Sequence, residues 1–435
     1  MKDIFIRNGT VLPLVAGRTD LITPGFVSIK DGVIDDVGPM ADAPGASPFA
    51  QVIDAEGSLV MPGLVNSHTH GAMTLFRGLA DDLPFMVWLQ EHIFPAEANH
   101  VNPEMVYWCT KLAAAEMILS GATTVADSYF HEDYAARAFR DTGLRAVAAQ
   151  GVIDFPAPGV PDPSYNVDAA ATFIDQWQEK NSLITPAVFC HSPYTCGPAT
   201  LQKAKELSQQ RKVPFFIHVA ETEEENREVR ERFGTTPVRH LHSLGILDRN
   251  TICVHCVWLT RKDIEIIKQT GAHVATCPES NMKLASGVAP LMDLLAEGIP
   301  VGIGTDGCSS NNDLDLFREM DTLAKLHKVT HHDPTILPAR TVLQMATIGG
   351  AGMLGMDHLI GSIAKGKKAD IIFLDLNQPH LTPFYNTDLL VYAARGADVS
   401  TVIIDGNLVM QDRVIFTFDL AETMARVREL SKEIQ

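Results

Sequence analysis

The chain has 435 residues, 46% of them hydrophobic, and carries 53 acidic against 35 basic side chains for a formal charge of −18. That composition fills a large globular core. It disfavours nucleic acid or an anionic membrane surface as the main partner, because both would repel it. No apolar stretch is long enough to span a bilayer, and the opening MKDIFIRNGTVLPLV lacks the apolar core and cleavage site of a secretory signal. Seven scattered cysteines do not make a disulfide framework, so a cytoplasmic protein is expected.

Residues 1–61 read as short strands, DIFIRNGTVLPL, GFVSIKDGVIDDVG and QVIDAEGSLVMPG, broken by Asn-Gly, Asp-Gly and Glu-Gly turns. From 62 to 365 the pattern becomes strand, loop, helix, repeated. The candidate strands are LVNSHTH, TTVADSY, LRAVAAQGVI, TPAVFCHS, PFFIHVAE, TICVHCV, HVATCPES and VGIGTDG. Between them PEMVYWCTKLAAAEMILSG starts as a helix, with Asn102 as cap and Pro103 at the first helical position. ATLQKAKELSQQ, RKDIEIIKQTG and APLMDLLAEG share its periodicity, and FMVWLQEHIF reads as an amphipathic helix. Residues 366–435 return to strands in ADIIFLDL and VSTVIIDGNLVMQDRVIF and finish in a helix. Eight strands alternating with helices predict an α/β closed barrel, with a doubly wound sheet as the second reading. The two β-rich ends are expected to fold together beside it.

In such a barrel the reactive residues sit where strands finish. His68 and His70 end the first strand, and alternate residues of a strand point to the same side. His191 ends the fourth, His218-Val-Ala-Glu221 the fifth, His255 the sixth and Thr305-Asp306 the eighth. Alone, each has a plain structural reading: a buried histidine is usually a hydrogen-bonded core residue, and Asp-Gly is a common turn. Their shared position at one mouth points instead to a metal site. Three histidines with one carboxylate suit zinc, with iron(II) as the alternative, and an open position would hold an acidified water. Glu221 stands where it can pass protons between water and substrate. The fourth strand offers no lysine to bridge two metals, so one is expected.

Two motifs are decoys. Cys253-Val-His-Cys256 has no second cysteine pair to complete a structural zinc site. GIGTDG lacks the full dinucleotide fingerprint. The H-x-E and P-C-x-x-C signature of the cysteine-ligated zinc deaminases is absent.

The blocks MPGLVNSHTHGAMTLFRGLADD, GATTVADSYF, HSPYTC, IHVAET, CPESNMKLASG and GTDGCSSNNDLDLFREM resemble the amidohydrolase superfamily over nearly the whole chain. Within it the likeness is to the 5-methylthioadenosine/S-adenosylhomocysteine deaminases of the triazine-hydrolase and chlorohydrolase group. The resemblance implies a distorted (β/α)8 barrel over 62–365, and a β-sandwich built from 1–61 and 366–435. It implies His68, His70, His218 and Asp306 as ligands of one divalent metal per subunit, zinc first, with Fe2+ or Mn2+ as alternatives. Glu221 is similar to the family's proton shuttle, which protonates purine N1 as water attacks C6. His255 resembles the histidine that orients that water, and Asp306 would accept its proton. Glu221 and Asp306 would also touch the substrate, beside His191, Trp88 and Glu97, the last on the ribose hydroxyls. A homo-oligomer, dimer or tetramer, is implied.

The implied reaction is hydrolytic deamination of an adenine nucleoside. Its rival keeps the metal and changes the ring: deamination of guanine, 8-oxoguanine or cytosine, or dechlorination of a triazine. A non-catalytic scaffold of this fold would be expected to have lost ligands that this chain keeps. One departure stands out, since several relatives carry arginine where this chain has Gln150, with Arg145 as a candidate substitute. It leaves the choice among methylthioadenosine, S-adenosylhomocysteine and adenosine open.

Overall fold

The computed structural model describes residues 3–15, 20–44 and 49–434. The outermost residues of the two expected terminal segments, Met1, Lys2 and Gln435, lie outside the described residues. Eight parallel strands pair in chain order: Leu64–Thr69, Ala122–Tyr129, Arg145–Val152, Ile184–Cys190, Phe215–Val219, Thr251–His255, His273–Thr276 and Val301–Ile303. They are buried on both faces, which is why the sequence shows short continuous apolar runs rather than alternation. Val65, Val147, Phe216 and Val254 pack inside the ring. Helices cover the outside, led by Pro103–Leu119, where Asn102 accepts the Met105 N–H as its cap.

The first and last strands meet through the residues of the mouth. The Asp306 N–H donates to the His68 carbonyl at 3.0 Å, and Asn66 donates to Thr305 Oγ1 while accepting the Thr305 N–H. The eighth strand is shorter than expected, stopping at Ile303 before GTDG. Close approach is the reason: a Cβ on Gly304 would lie 2.7 Å from the backbone N and O of His68. The glycines of GIGTDG thus serve contact between strands, not a dinucleotide. The seventh strand also ends early, and the chain turns at Pro278 into the helix Pro278–Lys283.

The ends of the chain form one nine-stranded sheet. Its two halves join where Ser58–Pro62 runs antiparallel to Ile371–Asp375. Ile6, Val27 and Val60 from the N-terminal side share a core with Ile371, Phe373 and Ile403. The Asp-Gly and Glu-Gly turns fall between strands, but the expected Asn8-Gly9 turn is a bulge inside Ile4–Val11. Asn8 takes a positive φ of 61° there and its amide donates to Asp54. Gly9 lies too close to Val60 for a Cβ.

The segment expected as an amphipathic helix is broken. Phe85–Val87 leads into a π-helical turn, Trp88–Ile93, and then Phe94–His100. Pro95 lacks an N–H and its ring crowds the carbonyl four residues back, so the regular ladder cannot pass through it. Among the described residues no helix is long and apolar enough to cross a membrane. All seven cysteines are buried and free, and Cys256 Sγ donates to the Cys253 carbonyl at 3.8 Å, which makes the C-x-x-C a packing feature.

Candidate active site

Four side chains from three strand ends converge at the barrel mouth. His68 Nε2 lies 3.2 Å from His218 Nε2 and 3.6 Å from Asp306 Oδ1, and His70 Nε2 lies 3.3 Å from the same oxygen. His70 Nδ1–H donates to the Ser128 carbonyl at 2.5 Å, which turns its Nε2 lone pair inward. Burial pushes the His68 imidazole down to about 4 and His218 well below its usual range, with neighbouring histidines adding to both. Burial alone would raise the Asp306 carboxyl, but His68, His255 and His70 hold it well below the usual carboxylate range.

These groups fit a divalent cation. Neutral imidazoles with their lone pairs converging on a charged carboxylate are the donor set of a borderline metal. His68 Nε2 and His218 Nε2 face one another at a distance that two lone pairs do not hold without a cation or a proton between them. Two overlapping groups could take an ion, His68 with His70 and Asp306, and His68 with His218 and His255.

His255 and Glu221 stand on the open side of this cluster. His255 Nδ1–H donates to Asn281 Oδ1 at 3.0 Å, leaving Nε2 to face Glu221 Oε2 at 3.8 Å. Burial, then the charge of Asp306, pushes Glu221 up to about 8, so its protonated form persists through neutrality. The backbone is strained at these strand ends: Ala220, His255, Cys256 and Asp306 all have positive φ. Such strain is held by surrounding contacts and gathers at functional sites.

The cavity in front of the cluster has a volume of about 960 Å³, counting its open mouth. Trp88, Glu97, His191, His218, Glu221, His255 and Asp306 all line it, so it brings together every expected substrate-contacting residue. Glu97 is buried, accepts the Tyr129 hydroxyl at 2.7 Å, and is pushed up to about 7 by burial. Burial, then His70 and His255, pushes His191 down to about 3, and its Nδ1 pairs with Thr195 Oγ1. Trp88 packs on the core and also lines the cavity. Gln150 does not line the cavity: its Oε1 accepts the Glu132 N–H and its amide donates to the Gly151 carbonyl. Arg145 is no substitute, because it opens its strand at the far end of the barrel, paired with Asp370.

Several residues of the site were not evident from sequence. Ser280 and Ser310 both donate to Asp306 Oδ2, at 2.7 and 2.8 Å, leaving Oδ1 to the histidines. Glu225 accepts the N–H groups of Ala220 and Glu221, both at 2.8 Å, and so fixes the turn that carries Glu221. Thr222 accepts the Glu225 N–H, the T-x-x-E start of a helix, which is the one sequence signal that could have found Glu225.

Comparison with known proteins agrees with this geometry. Residues 59–409 match the model of the amidohydrolase family. A 5-methylthioadenosine/S-adenosylhomocysteine deaminase of Syntrophobacter fumaroxidans is 48% identical, covering 100% of this chain and 98% of that protein. A 5'-deoxyadenosine deaminase of Methanosarcina mazei is 43% identical, covering 100% and 99%. The crystal structure of an adenosine deaminase from Xanthomonas campestris with bound zinc superposes with a TM-score of 0.95 at 38% identity, covering 100% of this chain and 98% of that one. The chain belongs to the amidohydrolase family and, within it, to the 5-methylthioadenosine/S-adenosylhomocysteine deaminases.

Proposed function

We propose that this chain removes the 6-amino group of an adenine nucleoside by hydrolysis, giving ammonia and the inosine analogue. The observation that carries the reading is Glu221 facing His255 Nε2 at 3.8 Å on the cavity side of the His68–His70–His218–Asp306 cluster. A divalent ion held by those four residues supplies the Lewis acidity that lets water ionise near neutral pH. The zinc bound in the Xanthomonas structure supports zinc here.

The remaining chemistry falls to the chain's own groups. Glu221 donates its proton to purine N1, drawing electron density from C6 as the water oxygen bonds there. His255 presents Nε2 toward that oxygen and steadies the tetrahedral carbon. Asp306 takes one proton of the water and passes it to the amino group as the C6–N bond breaks and ammonia leaves. The second, on the new C6 hydroxyl, returns to Glu221 as the C6=O bond forms. Glu97 accepts the two ribose hydroxyls, for which a carboxylate's paired oxygens are suited, with Tyr129 holding it in place. His191 and Trp88 bound the nucleoside on its other sides.

The test is loss of the adenine absorbance band with zinc-loaded protein on methylthioadenosine, adenosine and guanine, beside a Glu221→Gln control. Turnover of the adenine nucleosides alone, abolished in the control, is expected. Turnover of guanine alone would transfer the reading to free bases.

A further inference from the structure

The part of the cavity next to the ribose-holding residues is an apolar wall. Phe94 precedes Glu97 by one helical turn, Phe130 follows Tyr129, and Phe155 packs on Phe94 with ring centroids 5.5 Å apart. Pro156 and Pro158 extend it. Among the described residues no lysine or arginine lines the cavity, whereas the carboxyl groups of Glu97, Glu221 and Asp306 do. Nearby cationic and amide groups are committed elsewhere: Gln150 to backbone groups, Arg145 to the opposite end of the barrel, and Lys283, next to Leu284 of the lining, to Asp81, Asn312 and the Ser309 carbonyl.

A ribose whose diol is held at Glu97 has its 5′ carbon within one ring's width, so the 5′ substituent meets this wall. Resting on the adenine-nucleoside reading, we propose that the chain selects nucleosides with a small apolar 5′ group, methyl or methylthio, against the zwitterionic homocysteinyl tail. A methyl or thioether gains from removal of apolar surface from water, and a sulfur packs favourably against ring edges. The homocysteinyl carboxylate would meet a wall of phenylalanines and prolines with no lysine or arginine to pair with it.

The zinc-loaded enzyme decides this by kcat/KM for 5′-methylthioadenosine, 5′-deoxyadenosine and S-adenosylhomocysteine, measured in the wild type and in Phe155→Arg. The two apolar nucleosides are expected to exceed S-adenosylhomocysteine by at least about tenfold, the discrimination one missing charge-assisted contact supplies. Phe155→Arg is expected to narrow that ratio by a similar factor, with the circular dichroism spectrum and thermal midpoint reporting that the variant is folded. Equal use of S-adenosylhomocysteine by the wild type would overturn the inference while leaving deamination standing. An unchanged ratio in a folded Phe155→Arg protein would overturn the assignment to this wall. Failure to deaminate any adenine nucleoside would instead remove the functional reading, and this one with it.

Discussion

At the base of the barrel Arg145 is enclosed by Asp370 and Asp405, and at the mouth Asp306 is enclosed by His68, His70 and two serines. Both are buried charges, yet they are treated differently. Arg145 donates to Asp370 at 2.8 and 3.0 Å, to Asp405 at 3.4 Å and to the Ser182 carbonyl at 3.1 Å. Lys368 and Ser182 complete Asp405, so every charge there has its partners. At the mouth the acceptors face one another, and His68 Nδ1 has no partner among the described residues. A closed network clamps the terminal sheet to the barrel, whereas side chains whose lone pairs converge on one point make a ligand site.

Breaking each network should therefore give opposite phenotypes. Asp306→Asn removes the only carboxylate of the cluster and a proton carrier with it. Activity should fall on the order of 10⁴-fold. Metal content should drop as well, while the thermal midpoint of the metal-free protein stays close to that of the metal-free wild type. Retention of stoichiometric metal by the variant would show that Asp306 is not a ligand. Arg145→Met acts at the other end, leaving Asp370 and Asp405 buried together without their cation. It should cost about 3–5 kcal/mol of stability, read as a lowered thermal midpoint, with kcat of the folded fraction unchanged. A loss of kcat at full folding would mean that the clamp reaches the mouth.

The same contrast explains what was legible in the sequence. Parallel strands buried on both faces leave short apolar runs, and a histidine or aspartate ending such a run is conspicuous, as His68, His70, His218, His255 and Asp306 are. Residues that serve those ends from elsewhere carry no such mark. Glu225 sits in the run ETEEE, which looks like a solvated first helical turn, and its bonds to Ala220 and Glu221 depend on how the strand bends. Ser280 was read into the seventh strand, but the chain turns at Pro278 and the serine lands on Asp306 instead. Asn8-Gly9 suits a hairpin turn and a bulge equally, and only pairing with the neighbouring strand decides between them. Trp88 and Glu97 were reachable through family resemblance alone, because the π turn and Pro95 interrupt the helical period that would have set their face.

A third way of burying charge, neither paired nor open, is to abolish it, and Glu132 is the case. It opens the helix Glu132–Thr142, has no exposed surface, and among the described residues neither carboxyl oxygen meets the geometry of a hydrogen bond. Burial, then the charge of Asp127, pushes it well above the usual carboxyl range. Its folded pKa thus exceeds the unfolded value of about 4.3. The stability it contributes is complete below that unfolded value and is lost as pH rises through the folded one. Glu132→Gln keeps the shape without an ionisable proton and removes that loss. From neutrality upward the thermal midpoint of the variant should decline less steeply than that of the wild type. The gap should open by at most roughly 1.4 kcal/mol per pH unit until the folded pKa is reached, and stop growing above it. Parallel declines would show that Glu132 is already ionised at neutral pH.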